Sequence, residues 1–138
     1  MAYHVHVEHL HSVQAVDDAI DSEAGSGSGR LVIVRFGRDG HDDCARLDAA
    51  LAAAGEQVAP VALLYAVDTD EVTGYNDMYQ LHGPCTVMFF YENRHVDVRG
   101  DGDRDAVDWA AYTGDGFAGL VKAVHGKAKA GRRLFIVD

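Results

Sequence analysis

The stretch LVIVRFGRDGHDDCARLDAALAAA, residues 31–54, decides the architecture. LVIVRF (31–36) is a continuous apolar run, the pattern of a strand buried on both faces of a parallel or mixed sheet. A short polar loop follows, and a helix then starts at Asp42 or Asp43 and is predicted to end at Gly55. Aspartates in the first turn suit the positive end of the helix dipole. Cys44 sits in that same turn, where a dipole can lower a thiol pKa and so make it reactive. One cysteine occupies the loop where a dithiol would need two.

Outward from this unit, Ser12 is placed to cap a helix over VQAVDDAID, with Val13, Val16 and Ile20 on one face and Asp17, Asp18 and Asp21 on the other. That helix should stop at GSGSG, residues 25–29, read as a flexible loop. VALLYAVD (61–68) is a second buried strand, and EVTGYNDMYQLHG (71–83) a short helix or turn. Pro84 introduces a third strand, CTVMFFY (85–91), and Arg94 and His95 are placed in a hairpin leading into HVDVRG. GDGDRD (100–105) reads as an exposed acidic loop, and GFAGLVKAVHGKAKAG (116–131) as an amphipathic helix with Phe117, Leu120, Val121 and Val124 inward. Strands joined through helices become parallel neighbours and the late hairpin an antiparallel pair. The result is an α/β fold with a mixed central sheet flanked by helices, the plan of the thioredoxin fold, in a single domain over residues 1–138.

Composition narrows the function. With 48% hydrophobic and 25% charged residues in 138, the chain reads as a soluble globular protein. It has no run of the roughly 20 apolar residues that a membrane helix needs. MAYHVHVEHL lacks a basic region followed by an apolar signal core, so a location inside the cell is expected, and no membrane partner. Two cysteines are too few for a disulfide framework or an all-cysteine zinc site. The formal charge of −10 disfavours a long-range grip on bulk nucleic acid. The charge is nonetheless uneven, with −14 over residues 1–121 and +4 over the basic C-terminal end, residues 122–138.

In a thioredoxin-like protein an attacking cysteine opens the helix and a resolving cysteine follows three positions later. Here His41 holds the first position and Cys44 the second, while Asp39, Asp42 and Asp43 disfavour a thiolate nearby. Dithiol oxidoreductase chemistry is therefore not expected, and no catalytic residue is assigned. The thioredoxin resemblance also implies a cis proline before the third strand, at Pro84, which brings Cys85 near Cys44, so that the two form a candidate disulfide pair. Two neighbouring free thiols used as small apolar groups remain the alternative. His4, His6, His9 and His11 have only Glu8 as a carboxylate neighbour, and neither a metal nor another cofactor is assigned to them. No glycine-rich phosphate loop, HExxH pattern or serine nucleophile elbow is present.

Several pieces, in order, resemble one family. They are HLH (9–11), VIVRFG (32–37), the single Cys44 followed by Leu47-Asp48, YAVD (65–68), YNDMYQL (75–81), GPCTVMFFYENRHV (83–96) and the basic GKAKAGRR (126–133). Together they are similar to the Dim/Dib family of thioredoxin-like splicing proteins, the small subunit of the spliceosomal U-five snRNP and tri-snRNP. The GSGSG segment, Gly40 in place of a tryptophan and the short C-terminal end depart from that pattern. The resemblance implies a nuclear, non-enzymatic subunit required for pre-mRNA splicing. It would be held among snRNP proteins, including the large scaffold protein, with contact to snRNA or pre-mRNA inside the assembly. Lys127, Lys129, Arg132 and Arg133 are the candidate partner or RNA contacts. The alternative is a thioredoxin-like redox protein using Cys44 alone or with Cys85.

Overall fold

The computed structural model describes residues 7–38, 40–76, 85–100 and 107–137. Among these, six strands form one mixed sheet: β1 (Val7–Leu10), β2 (Leu31–Gly37), β3 (Ala62–Asp68), β4 (Cys85–Tyr91), β5 (Arg94–Arg99) and β6 (Leu134–Ile136). Their spatial order is β1-β3-β2-β4-β5-β6. β1 and β2 run parallel to β3, β4 is antiparallel to β2 and β5, and β6 runs parallel to β5. The helices are α1 (Val13–Ser26), α2 (Asp42–Val58) and α3 (Gly114–Lys129), with a single 3-10 turn at Trp109–Ala111.

β2 is central, and all seven of its residues are buried, as an apolar run broken only by Arg35 would suggest. Alternation sends Val32, Val34 and Phe36 to one face, where they pack with Val16 and Ile20 of α1 and with Met88 and Phe90. Leu31 and Ile33 point to the other face, into a core built from Leu47, Leu51 and Val58 of α2 and Phe117, Val121 and Val124 of α3. Phe89 and Trp109 close this core with ring centroids 5.9 Å apart. The inward residues assigned to the last helix, Phe117, Leu120, Val121 and Val124, are all buried.

Several boundaries differ from the sequence reading. Ser12 does cap α1, its Oγ accepting the Ala15 N–H at 3.0 Å, but Val13 is 39% exposed. α1 runs two residues into GSGSG and ends at Gly27, which takes the left-handed conformation (φ 73°) that favours glycine at a helix end. The segment then folds around the buried Glu23 carboxylate, which accepts hydrogen bonds from the Ser28 hydroxyl and from Arg30. α2 passes through Gly55 to Val58, because the fully buried Val58 side chain outweighs the roughly 1 kcal/mol cost of a helical glycine. The β4–β5 hairpin turns at Glu92 and Asn93, with φ of 52° and 64°, the two-residue turn that suits twisted strands. Arg94 and His95 therefore open β5 and do not form the turn. β1 and β6, the two edge strands, are additions to the sequence reading. The acidic stretch 101–106 and the segment 77–84 lie outside the described residues.

Candidate functional site

The loop between β2 and α2 holds the thiols. After Gly37 the chain turns through Gly40 (φ 86°), and His41 caps α2 by accepting the Asp43 N–H on Nδ1 at 3.2 Å. This histidine, standing where a first cysteine would be, therefore has a structural task. Cys44 is fully buried in the first turn of the helix, and its Sγ accepts the Arg38 N–H at 3.4 Å. Gly37 lies against Cys44 and is the register partner of Cys85 across β2 and β4. A Cβ at Gly37 would fall 2.7 Å from the Cys44 sulfur and 3.1 Å from both Cδ and Nη1 of Arg35, so the close stacking here depends on glycine.

The structure thus brings Cys44 and Cys85 together, both as free thiols, with Cys85 half-buried. The Cys85 thiol is pushed up to about 12, first by burial, then by Cys44 beside it, with Asp43 adding to the rise and Arg35 opposing it. At neutral pH the Cys85 thiol therefore stays protonated, and the thiolate is the nucleophile. The proline assigned as cis, Pro84, lies outside the described residues.

Beneath the thiols is a group that the sequence reading passed over. Arg35 is fully buried in β2. Its Nε and Nη2 donate to the two Asp48 carboxylate oxygens at 2.9 and 3.0 Å, and Nη1 donates to the Val67 carbonyl at 3.2 Å. A two-pronged guanidinium–carboxylate pair is the arrangement that makes a buried arginine tolerable. The available signal was a lone charge inside an apolar strand, with an aspartate on the following helix.

The histidine-rich N-terminal segment divides. His4 and His6 lie outside the described residues, while His11 Nδ1 is 2.8 Å from the Glu71 carboxylate and stacks on His9. Among the described residues no three His, Cys, Asp or Glu side chains gather as a metal ion would require. No described helix is long and apolar enough to cross a membrane.

Lys127, Lys129, Arg132 and Arg133 are all exposed at the other end of the molecule, around the C-terminus of α3. Lys129, Arg132 and Arg133 line a cleft of about 230 Å³ together with Arg94 of β5, which the sequence reading had not grouped with them. Lys127 does not line it.

Several solved thioredoxins share this fold. A mutant thioredoxin from Halobacterium salinarum superposes with a TM-score of 0.65 over 91% of this chain and 96% of that one, at 18% identity. Chloroplastic thioredoxin z gives 0.64 over 88% and 96%, at 16% identity. The chain therefore has the thioredoxin fold predicted from its sequence. Among sequence relatives, Mitosis protein dim1 of Schizosaccharomyces pombe is 37% identical over 93% of this chain and 88% of its own length. Spliceosomal protein DIB1 of Eremothecium gossypii is 45% identical over 67% of this chain and 62% of its own, a match to under two thirds of that relative. Thioredoxin-like protein 4B of Homo sapiens is 27% identical over 91% and 82%. The family model described as Mitosis protein DIM1 matches residues 6–137. With that match spanning nearly the whole chain and a thioredoxin sheet beneath it, this protein belongs to the DIM1 family of thioredoxin-like splicing proteins.

Proposed function

We propose that the protein is a nuclear, non-enzymatic structural subunit of the spliceosomal tri-snRNP, required for pre-mRNA splicing and for assembly and activation of the spliceosome. Its partners would be snRNP proteins, including the large scaffold protein. The observation that carries this reading is the family membership, with relatives named as spliceosomal proteins at 43–45% identity. The thiol site supports the non-enzymatic part. His41 is engaged in capping α2, Cys44 is sealed in the core, and Cys85 is held far above the range of a working nucleophile. Lys127, Lys129, Arg132 and Arg133 are proposed as contacts to partner protein or RNA. The test is gentle purification of the tagged protein from nuclear extract, with identification of the RNAs and proteins that come with it. Recovery of the tri-snRNP RNAs with the scaffold protein is expected, and their absence would sink the assignment.

The adjacency of Cys44 and Cys85 favours a second reading, a thioredoxin-like redox protein. In it the two thiols form one disulfide, giving two protons and two electrons to a small-molecule disulfide oxidant. Such a bond would close the chain between residues 44 and 85 and stabilise the fold by a few kcal/mol. An insulin-reduction assay driven by dithiothreitol separates the readings. Turnover lost on Cys44→Ser would favour the enzyme, whereas the structural subunit gives none above background.

A further inference from the structure

The arginines divide into two populations. Among the described residues, Arg30, Arg35, Arg38, Arg46 and Arg99 each face a carboxylate, as expected in a chain of formal charge −10. With the described residues, Arg94, Lys129, Arg132 and Arg133 make no such pair, and all four line the same cleft. Nor are these cations occupied in capping α3. The carbonyls of Gly126, Lys127 and Ala128 already accept the backbone N–H groups of Ala130, Gly131 and Arg132. Among the described residues lining the cleft there is one acid, Glu92, at its hairpin side, against four cations.

We propose that this cleft, between the β4–β5 hairpin and the C-terminal end of α3, binds the phosphodiester backbone of single-stranded RNA through Arg94, Lys129, Arg132 and Arg133. This deepens the splicing reading and rests on it for the presence of RNA.

Three features support the assignment. The site is held in place: the hairpin turn at Glu92 and Asn93 sets Arg94, and the Asp97 N–H donates to the Arg133 carbonyl at 2.7 Å, fixing the arginine pair beside β5. Its floor, Val96 and Ala128, is buried core and offers no pocket for a partner's side chain. The exposed apolar side chains nearby, Leu134 and Ile136, alternate with Phe135, which packs into the core on the α3 side, so they lie on the opposite face of the sheet. An acidic peptide would gain little here beyond its charges. A phosphodiester chain needs only charge and donors, and planar guanidinium groups can offer it paired hydrogen bonds. A cleft of about 230 Å³ admits a phosphate of a flexible strand, whereas a duplex presents its phosphates on a broad convex surface.

The test is fluorescence anisotropy of a short fluorescein-labelled oligouridine titrated with the full chain over a range of salt. The expected result is binding that weakens with salt. Arg94→Gln and Arg132→Gln should each lower affinity about 3–10-fold and reduce the salt slope by about one contact. Arg46→Gln, paired with Asp43 on α2 and outside the cleft, should change neither. Absence of binding at low salt, or equal losses from Arg46→Gln and Arg94→Gln, would overturn the proposal. So would displacement of the RNA by oligoglutamate more readily than by unlabelled oligouridine, which would make an acidic protein segment the occupant. Because this assay uses the isolated chain, it fails independently of the splicing assignment. Entry into the particle without RNA binding removes the cleft alone, and RNA binding without entry removes the assignment alone.

Discussion

Replacing Asp48 with alanine would strip the buried Arg35 guanidinium of the two charge-assisted bonds it makes to the carboxylate, while its bond to the Val67 carbonyl stays. Breaking a buried pair by removing one partner costs about 3–5 kcal/mol, because the surviving charge is uncompensated. Here the lower end is expected. The Asp48 side chain is 36% exposed, so water can enter from its side and solvate part of the guanidinium. About 3 kcal/mol in a chain of this size corresponds to a fall in Tm of roughly 10 °C. The opposite deletion should cost less, since in Arg35→Met the orphaned carboxylate already has access to solvent. Arg35→Met with Asp48→Leu should return close to the parent stability, as apolar replacement of whole buried pairs often does. Urea denaturation with dithiothreitol present, followed by tryptophan fluorescence from Trp109, reads all four proteins on one scale. Equal costs for the two single variants, or a loss under about 1 kcal/mol for Asp48→Ala, would refute this account of the pair.

Further expectations concern the same core and its surroundings. Gly37→Ala should destabilise by about 1–3 kcal/mol through overpacking, and part of that loss should be recovered in Gly37→Ala with Cys44→Ala, where the clashing sulfur is gone; chemical denaturation of both variants checks it. Cys85 should be alkylated by iodoacetamide far more slowly in the folded chain than in urea at pH 7.5, with a rate that climbs toward pH 12, and rapid labelling at neutral pH would contradict its raised pKa. His95, packed against Phe90, has its pKa lowered mainly by burial, with Asp97 opposing, so the unfolded chain binds its proton first as pH falls. Stability should therefore decline as pH drops below about 6.5, and the Tm profile of His95→Gln should be flatter over that range. Ser12→Ala should cost about 1 kcal/mol by removing the α1 cap, as measured by thermal melting.

The central strands and the three helices were legible because each carries a strong period. β2 and β4 are apolar runs broken only by Arg35 and Thr86, and α3 places Phe117, Leu120, Val121 and Val124 at helical spacing. The edge strands were not legible. β1 is four residues, VEHL, with two of them exposed, and β6 is three, so neither is long enough to establish an alternation. Helix ends were misplaced wherever glycine was taken as a stop, since Gly55 is overruled by the burial of Val58 beyond it. At the thiol site, the loop and Cys44 were identified, whereas Arg35 was absorbed into an apolar run and its pairing with Asp48 across 13 positions was unseen. Arg94 escaped notice for a related reason. Its cleft joins residues some 40 positions apart through the β5–β6 pairing, which no local pattern announces.

That pairing has a consequence for the order in which the molecule assembles and opens. β6 joins β5 only after the chain between residues 99 and 134 has closed on itself, and it is a three-residue edge strand with two exposed side chains. Contacts of such long sequence separation form late, and short edges open at a free energy well below that of global unfolding. In native-state hydrogen exchange the Asp97 and Val137 amides, which donate to Arg133 and Arg99 carbonyls, should therefore exchange ahead of the β2 amides. Each such opening would release the Arg132–Arg133 segment from its place beside Arg94 while leaving the central sheet intact, so the cationic cleft would come and go on a faster clock than the fold that carries it.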